Sequence, residues 1–457
     1  MSTIAAISTA TGNGGIGIIR MSGKKSFEIL NKIFTPLKRE RDEIKGYSMK
    51  FGYIVDPKTN EKIDEVLVSY FISPKSYTTE DMCEINSHGG VVVEKKILEL
   101  CLENGADLAE PGEFTKRAFL NGRIDLTQAE SVIDLINSKT ENEAKASINQ
   151  LEGNLSKKIH QNRDKLLDIM ADIEANIDYP EYDIEQVTNN KISIVLEDIK
   201  KDLINLSSTF ENGKILKEGV KTIILGKPNA GKSSLLNTIL KEERAIVSEF
   251  AGTTRDTIEE FVNIEGIPLK LIDTAGIRKT EDKIEEIGVK RALKLSKEAD
   301  LIIAIFDGSK ELDNEDLEIL NIIKNKKSII ILNKKDIGDI GLENNEKVKE
   351  ASSNILKISA KTGDGIEGIY KKISEMFKTK EIEMNDGIII TNIRHKNQID
   401  KALKSVNEAI DTNASGLPID IVSIPIKQIL SDLSVITGED VSEDIINEIF
   451  SKFCLGK

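Results

Sequence analysis

Hydrophobic and polar positions keep different periods in different stretches of the chain, and those periods divide it. Over residues 1–118, short apolar runs at 4–7, 16–19 and 66–72 are separated by Gly- and Ser-rich turns and predict strands. Helical spacing near 25–34 and 91–103 interleaves with them, so this part is predicted as an α+β domain. From Leu126 the period lengthens. Ala129, Val132, Ile133 and Ile136 recur at helical intervals, and Leu151, Leu155, Ile159, Leu166, Ile169, Ile173 and Ile177 follow at steps of three, four and seven. That spacing predicts one apolar stripe along a long helix, ended near Pro180 and facing the core of a helical bundle.

Between 219 and 378 the pattern turns to strand–helix alternation. Branched apolar runs at 222–225, 269–272, 301–306, 328–332 and 355–358 predict a parallel sheet covered on both faces. After a charged, poorly patterned stretch at 379–386, helical spacing returns through Ile399, Leu403, Val406 and Ile410, then Ile429, Leu433 and Ile436, then Ile445, Ile446 and Ile449. The expected organisation is an α+β segment at 1–118, a helical part at 119–218, a doubly wound α/β domain with a Rossmann-like sheet at 219–378, and a second helical part at 379–457. Helices on either side of an insertion pack most economically as one bundle.

Composition narrows the function. The 457 residues carry 63 Lys and Arg against 77 Asp and Glu, a net charge of −14, which argues against coating nucleic acid by bulk charge and leaves room for a local basic patch. Aromatics are 4% and Trp is absent, so extended base-stacking platforms are not expected. Cys83, Cys101 and Cys454 form no C-x-x-C pair, which suggests neither zinc nor a disulfide framework and fits a reducing compartment. Residues 1–20 lack the apolar core of a signal peptide, and no apolar run approaches the ~20 residues of a membrane span. A cytoplasmic protein with no membrane association is expected.

The strongest chemical signal is Gly226-Lys227-Pro228-Asn229-Ala230-Gly231-Lys232-Ser233, which matches G-x-x-x-x-G-K-[ST] between a predicted strand and a helix starting near Ser234. Its glycines let backbone N–H groups approach phosphate oxygens, and the helix N-terminus adds partial positive charge. Lys232 would hold the β- and γ-phosphates of a nucleotide and Ser233 would ligate Mg²⁺. Asp273-Thr274-Ala275-Gly276 ends another predicted strand, where Asp273 can hold the magnesium hydration shell and Gly276 can offer its N–H to a γ-phosphate. Asn333-Lys334-Lys335-Asp336 follows a third: the Asp336 carboxylate can accept both N1–H and the 2-amino group of guanine, a pair that adenine lacks. Ser359-Ala360-Lys361 would add a backbone donor to the guanine carbonyl. With Gly252-Thr253-Thr254, these elements in this order identify a GTPase. Ras-type enzymes place a water-orienting Gln after the glycine, whereas Ile277 stands there. Asn229 is then open to two readings: a turn residue with a local backbone bond, or a holder of a monovalent cation that supplies the charge of an arginine finger.

Read with their flanks, these residues resemble the tRNA-modification GTPase family MnmE, also called TrmE, over nearly the whole chain. The resemblance includes Ser76-Tyr77-Thr78 through His88-Gly89-Gly90, Pro111-Gly112-Glu113-Phe114-Thr115, Arg117-Ala118-Phe119-Leu120-Asn121-Gly122 and the ending Phe450-Ser451-Lys452-Phe453-Cys454-Leu455-Gly456-Lys457. It implies a tetrahydrofolate-binding, dimerising N-terminal domain, a helical domain split by insertion, and a G domain. The implied function is a K⁺-stimulated GTPase. Acting with an FAD-dependent MnmG-type partner in a heterotetramer, it adds an aminomethyl-type (carboxymethylaminomethyl) group to C5 of the wobble uridine of certain tRNAs. The one-carbon unit would come from a 5-formyl or methylene tetrahydrofolate. By the same resemblance Asn229, Ser248, Phe250 and Thr253 match K⁺-binding positions, Thr254 a second Mg²⁺ ligand, and Glu285 the acid that orients water. Arg20, Glu84, Arg123 and Lys457 match folate-binding positions, and Cys454 the family's reactive cysteine. Two departures stand out: Asp107, where relatives often carry Arg, and Pro425, which predicts a kinked or restarted helix. The rival class, a ribosome-assembly or regulatory GTPase switch, would be expected to add an RNA-binding module or a second G domain. Gly12-x-Gly14-x-x-Gly17 matches a dinucleotide fingerprint by letter, but strand rather than helix is expected after it.

Overall fold

A computed structural model describes residues 1–10, 12–37, 46–178, 185–241, 260–272, 294–377 and 387–457. They fall into two compact units, one comprising Met1–Ile133, Gln150–Leu196 and Ser405–Lys457, the other Asp134–Asn149 and Glu197–Lys404.

In the first unit a seven-stranded sheet has the order β3-β4-β5-β6-β2-β1-β7. The strands are β1 (Ile4–Ile7), β2 (Gly17–Ser22), β3 (Phe34–Pro36), β4 (Ser48–Val55), β5 (Lys62–Phe71), β6 (Met82–Ser87) and β7 (Asp107–Leu108). Neighbours are antiparallel except β1 with β7. One face is buried under the helices Ser26–Ile33 and Val91–Glu103 through Ile19, Met21, Ile29, Leu30, Val68, Ile85, Ile97 and Leu100. Every second residue of a strand points to the same face, which is why Val66, Val68 and Tyr70 are buried while Glu65 and Leu67, on either side of Val66, are exposed. The strand at Gly17–Ser22 follows the Gly12–Gly17 stretch where a dinucleotide fold needs a helix.

The helical stripe read as one helix is two. Glu141–Leu151 ends before Gly153, whose φ of 79° lies in the left-handed region, and Asn154–Asp178 carries the buried Leu155, Ile159, Leu166, Ile169 and Ile173. Periodicity alone passed over the break because the two helices keep nearly the same spacing. The long helix packs on Ile419–Thr437, which runs unbroken through Pro425. Of the kink or restart expected at Pro425, the restart does not occur: Ile426, Ile429, Leu433 and Ile436 stay fully buried on one side, and that packing holds the helix across the lost hydrogen bond.

The second unit holds a six-stranded sheet of order β13-β12-β11-β8-β10-β9. Its strands are β8 (Val220–Leu225), β9 (Glu260–Ile264), β10 (Ile267–Leu271), β11 (Leu301–Asp307), β12 (Ser328–Asn333) and β13 (Ile355–Lys357). Alternate residues serve opposite cores. Ile224, Ile303, Ile305, Ile329 and Ile331 pack with Leu235, Ile239, Ile369 and Ile373 on one face. Ile223, Ile302, Phe306, Ile330 and Leu332 pack with Leu320 and Ile323 on the other. The sheet is parallel except for its edge strand β9, which the sequence reading missed. β9 and β10 form a hairpin over Glu265 and Gly266, both at positive φ, the backbone of a two-residue turn that needs no crossover helix. Strand order reverses direction at β8, so the loop after it opens at a topological switch point. No helix among the described residues is long and apolar enough to cross a membrane.

Candidate functional site

The loop after β8 turns through Asn229 (φ 62°) and Gly231 (φ 107°) into the helix Lys232–Lys241. Two of its glycines are required by neighbours. A Cβ at Gly226 would stand 2.5 Å from the carbonyl oxygen of Ile305, and one at Gly231 would stand 2.0 Å from the Asn333 amide nitrogen. The Lys232 ammonium turns inward and donates to the carbonyls of Gly226 (2.6 Å) and Lys227 (2.7 Å). Burial lowers its pKa, so a phosphate placed over the loop would meet a cation with few compensating charges. The loop is tethered from outside by Lys227, whose ammonium pairs with Asp313 (2.5 Å) and with the buried Asp316 (2.7 Å). Those two carboxylates form the capping box of the helix Asn314–Ile323.

The residues expected to read guanine stand beside this loop. Asn333, almost fully buried at the end of β12, donates from its amide nitrogen to the Ala230 carbonyl (2.8 Å) and accepts the N–H of Ala360 (2.9 Å). One side chain therefore fixes the phosphate loop and the Ser359–Ala360 loop at a set separation. Lys334, at φ 70°, pairs with Asp307 (2.7 Å), which orients its aliphatic stem. Asp336 is exposed and its Oδ1 accepts the hydroxyl of the buried Ser359 (2.8 Å), so one oxygen is braced and the carboxylate faces solvent at the site. Ser233 and Ser234 begin the helix after the loop. Ser248, Phe250, Thr253, Thr254, Asp273, Thr274, Ala275, Gly276 and Glu285 lie outside the described residues.

In the other unit, three of the four folate-matched residues share one aromatic frame, and the main chain of the fourth is attached to it. Arg20 on β2 bonds Glu84 on β6, directly across the strand pair, through Nε (2.9 Å) and Nη2 (2.8 Å). Its guanidinium lies 5.4 Å from the Tyr77 ring centre and 5.6 Å from that of Phe114. Arg123 sits 4.7 Å from the same Tyr77 ring and donates to the Tyr77 carbonyl (3.1 Å). The tail Phe450–Lys457 closes this corner. Ser8 donates to the Gly456 carbonyl (2.9 Å), and the Phe114 N–H donates to the Lys457 main-chain oxygen (3.1 Å). A Cβ at Gly456, at φ 86°, would stand 2.3 Å from the Ile7 carbonyl oxygen. Cys454 is exposed, whereas Cys83 and Cys101 are buried. Burial pushes the Cys101 thiol up to about 12, and that of Cys83 well above its ordinary value.

Sequence reasoning missed Tyr77 and Phe114 as partners of Arg20, and Asp313 and Asp316 as partners of Lys227. The Asp-x-x-Asp spacing was a readable capping signal; the aromatic contacts had none beyond membership in the Ser-Tyr-Thr and Glu-Phe-Thr segments. Among the described residues there is no cluster of His, Cys, Asp and Glu that could hold a metal ion.

Two family models match the chain: the GTP-binding protein TrmE N-terminus over residues 3–123, and the MnmE helical domain over residues 126–454. Proteins named tRNA modification GTPase MnmE from Acetivibrio thermocellus and Clostridioides difficile are each 50% identical to it, over 100% of this chain and 99% of the relative. A namesake from Alkaliphilus oremlandii is 48% identical with the same coverage. Among solved structures, the G domain of the T. maritima FeoB iron transporter aligns at TM-score 0.25, with 24% identity over 35% of this chain and 99% of that one.

Proposed function

Since this chain belongs to the MnmE family of tRNA modification GTPases, we propose that it hydrolyses GTP in order to modify the wobble uridine of certain tRNAs at C5. The reading is carried by Asn333: a buried side chain that joins the phosphate loop to the base-reading loop, with Asp336 beside it, suits a guanine nucleotide held at both ends. Bound nucleotide would place its β- and γ-phosphates at Lys232 and its Mg²⁺ at Ser233, joined by Thr254, with Asp273 on the metal's water shell and Gly276 on the γ-phosphate. Thr274 and Ala275 extend that contact. Ile277 cannot orient water; Glu285, which matches the family's water-orienting acid, would take that role. Asn229 and Thr253 and the carbonyls of Ser248 and Phe250 would hold a K⁺ ion, which would supply positive charge at the transferring phosphate.

The modification chemistry draws on a reduced folate. Glu84 suits the amino edge of a pterin, and Arg123 and Lys457 suit the glutamate carboxylates. Arg20, paired with Glu84, sets that carboxylate's direction. Cys454, exposed on the tail attached to this corner, would take the part of the family's reactive cysteine. The partner is an FAD-dependent protein of the MnmG type, assembled as a heterotetramer on a homodimer of this chain. An outward apolar strip supports the homodimer: Phe51 stands opposite Leu67 in the β4–β5 register, and Met49 lies two residues along, all exposed. The four-part division at 118, 218 and 378 belongs to the same proposal, with the G domain inserted into the helical domain and the whole acting in the cytoplasm.

Nucleoside analysis of tRNA from a strain lacking this chain tests the function. Carboxymethylaminomethyl-type uridine at the wobble position is expected to disappear and to return on complementation; its persistence would point instead to a GTPase switch without modification chemistry. Hydrolysis measured in K⁺ and in Na⁺ at equal ionic strength is expected to differ by at least about tenfold, the scale of one missing transition-state charge contact. Equal rates would remove the cation from the mechanism.

A further inference from the structure

We propose that Tyr77 is a positioning residue of the folate site, its ring holding the guanidinium groups of Arg20 and Arg123 in a fixed relation so that the two ends of a reduced folate meet prearranged partners. This rests on the folate reading above and names a residue that reading does not include. Both guanidinium carbons lie within 6 Å of the Tyr77 ring centre, at 5.4 and 4.7 Å, the range in which a cation is attracted to an aromatic face. Two like charges gathered at one ring would separate if the ring were removed. Arg20 would keep its bond to Glu84 but lose one of its two aromatic contacts, retaining the buried Phe114. Arg123 would keep only its donation to a main-chain carbonyl among the contacts described here.

The loop that carries Tyr77 has anchors besides the ring, which itself packs against the buried Ile4, Ala6, Ala109 and Phe114. Thr78 is fully buried, its hydroxyl bonds Ser22 (2.7 Å), and its carbonyl accepts from Asn121 (2.7 Å). Two residues on, Glu80 pairs with the buried Arg117 (3.1 Å). The Tyr77 hydroxyl adds one bond to Thr115 (2.9 Å), which aims the ring without supplying its face. Leucine at this position would keep apolar packing on that cluster without an aromatic face, which separates the ring's effect on the two cations from its part in the fold.

Calorimetric titration of the full-length chain with 5-formyltetrahydrofolate, alongside thermal unfolding, tests this with Tyr77→Phe, Tyr77→Leu and Tyr77→Ala. Phe keeps the ring and is expected to bind within about twofold of wild type; Leu and Ala are expected to weaken binding roughly 10- to 30-fold, the scale of two cation–π contacts, with Tm little changed for Leu and lowered for Ala, which loses the packing on the Phe114 cluster. Leu fills space without a charged-ring interaction, so equal affinities for Phe and Leu would mean that Tyr77 only packs, and would overturn the proposal. Wild-type affinity in all three variants would overturn it as well. Failure of the folate reading shows in a different arm: the wild-type chain itself would give no binding heat.

Discussion

Asp336→Asn is expected to move nucleotide preference from guanine to xanthine, weakening GDP by roughly 10²- to 10³-fold while XDP becomes the tighter ligand. A carboxylate presents only acceptors, which match the N1–H and 2-amino donors of guanine; an amide presents one acceptor and one donor, which match the N1–H and 2-oxo group of xanthine. Hydrogen bonds to a charged group contribute about 1.5–3 kcal/mol each; the amide keeps the bond to N1–H without its charge and sets its own donor against the 2-amino donor, so one lost bond and one donor–donor clash account for that range. The fold should not register the change. Asp336 is exposed, and the Ser359 hydroxyl that braces its Oδ1 can donate equally to an amide oxygen. Competition of GDP and XDP against a fluorescent nucleotide measures the shift. A variant that still prefers guanine would take the base-reading role away from Asp336.

Gly231→Ala is expected to reduce nucleotide affinity by about 10²-fold or more, through Asn333 rather than through the phosphate directly. The added Cβ would lie 2.0 Å from the Asn333 amide nitrogen and 3.3 Å from its Cγ. Asn333 cannot swing aside cheaply, because it is almost fully buried and bonded both to Ala230 and to Ala360. Moving it breaks two hydrogen bonds at about 1 kcal/mol each, leaves buried groups unpaired, and adds about 1–3 kcal/mol for a non-glycine residue at φ 107°. Gly363→Ala separates the two causes. Gly363 also has positive φ, at 83°, but a Cβ there meets nothing within 4 Å, so only the backbone strain should appear. If the two alanine variants bind GTP alike, the Gly231–Asn333 contact carries no weight. A double-mutant cycle with Asn333→Ala gives the coupling directly.

Both expectations concern a part of the chain where local rules read well. β11 and β12 are near-continuous branched apolar runs because both sheet faces are covered, and the motif residues sit at their ends for the same reason. β9 was harder, since Glu260–Ile264 is a short edge strand whose partner lies across a two-residue turn, and edge strands carry a weaker apolar signal. In the first unit β4 and β6 went unread. β4 includes Gly52, required because a Cβ would stand 2.3 Å from the Thr35 carbonyl oxygen, and β6 mixes Glu84 and Asn86 among its apolar residues. At Pro425 a local rule predicted a kink or a restart, and the helix does not restart because burial of the flanking isoleucines holds it together.

The sequence by itself determined what contiguous residues determine. The strand–loop–helix around Lys232, the Asn-Lys-x-Asp segment and the change of period from two to 3.6 all depend on interactions within a few positions, where spacing is a direct record of geometry. Only the tertiary structure decided which side chains act on one another across the chain. Arg20, Glu84, Phe114 and Arg123 come together around Tyr77 from separate segments, and Ser8 reaches Gly456 across 448 positions. Lys227 finds Asp313 and Asp316, and Asn333 finds Ala230, in the same way. Contacts of that kind are set by how sheets stack and loops close over them. They leave no periodic trace in the order of residues, because two positions brought together by packing need share no spacing at all.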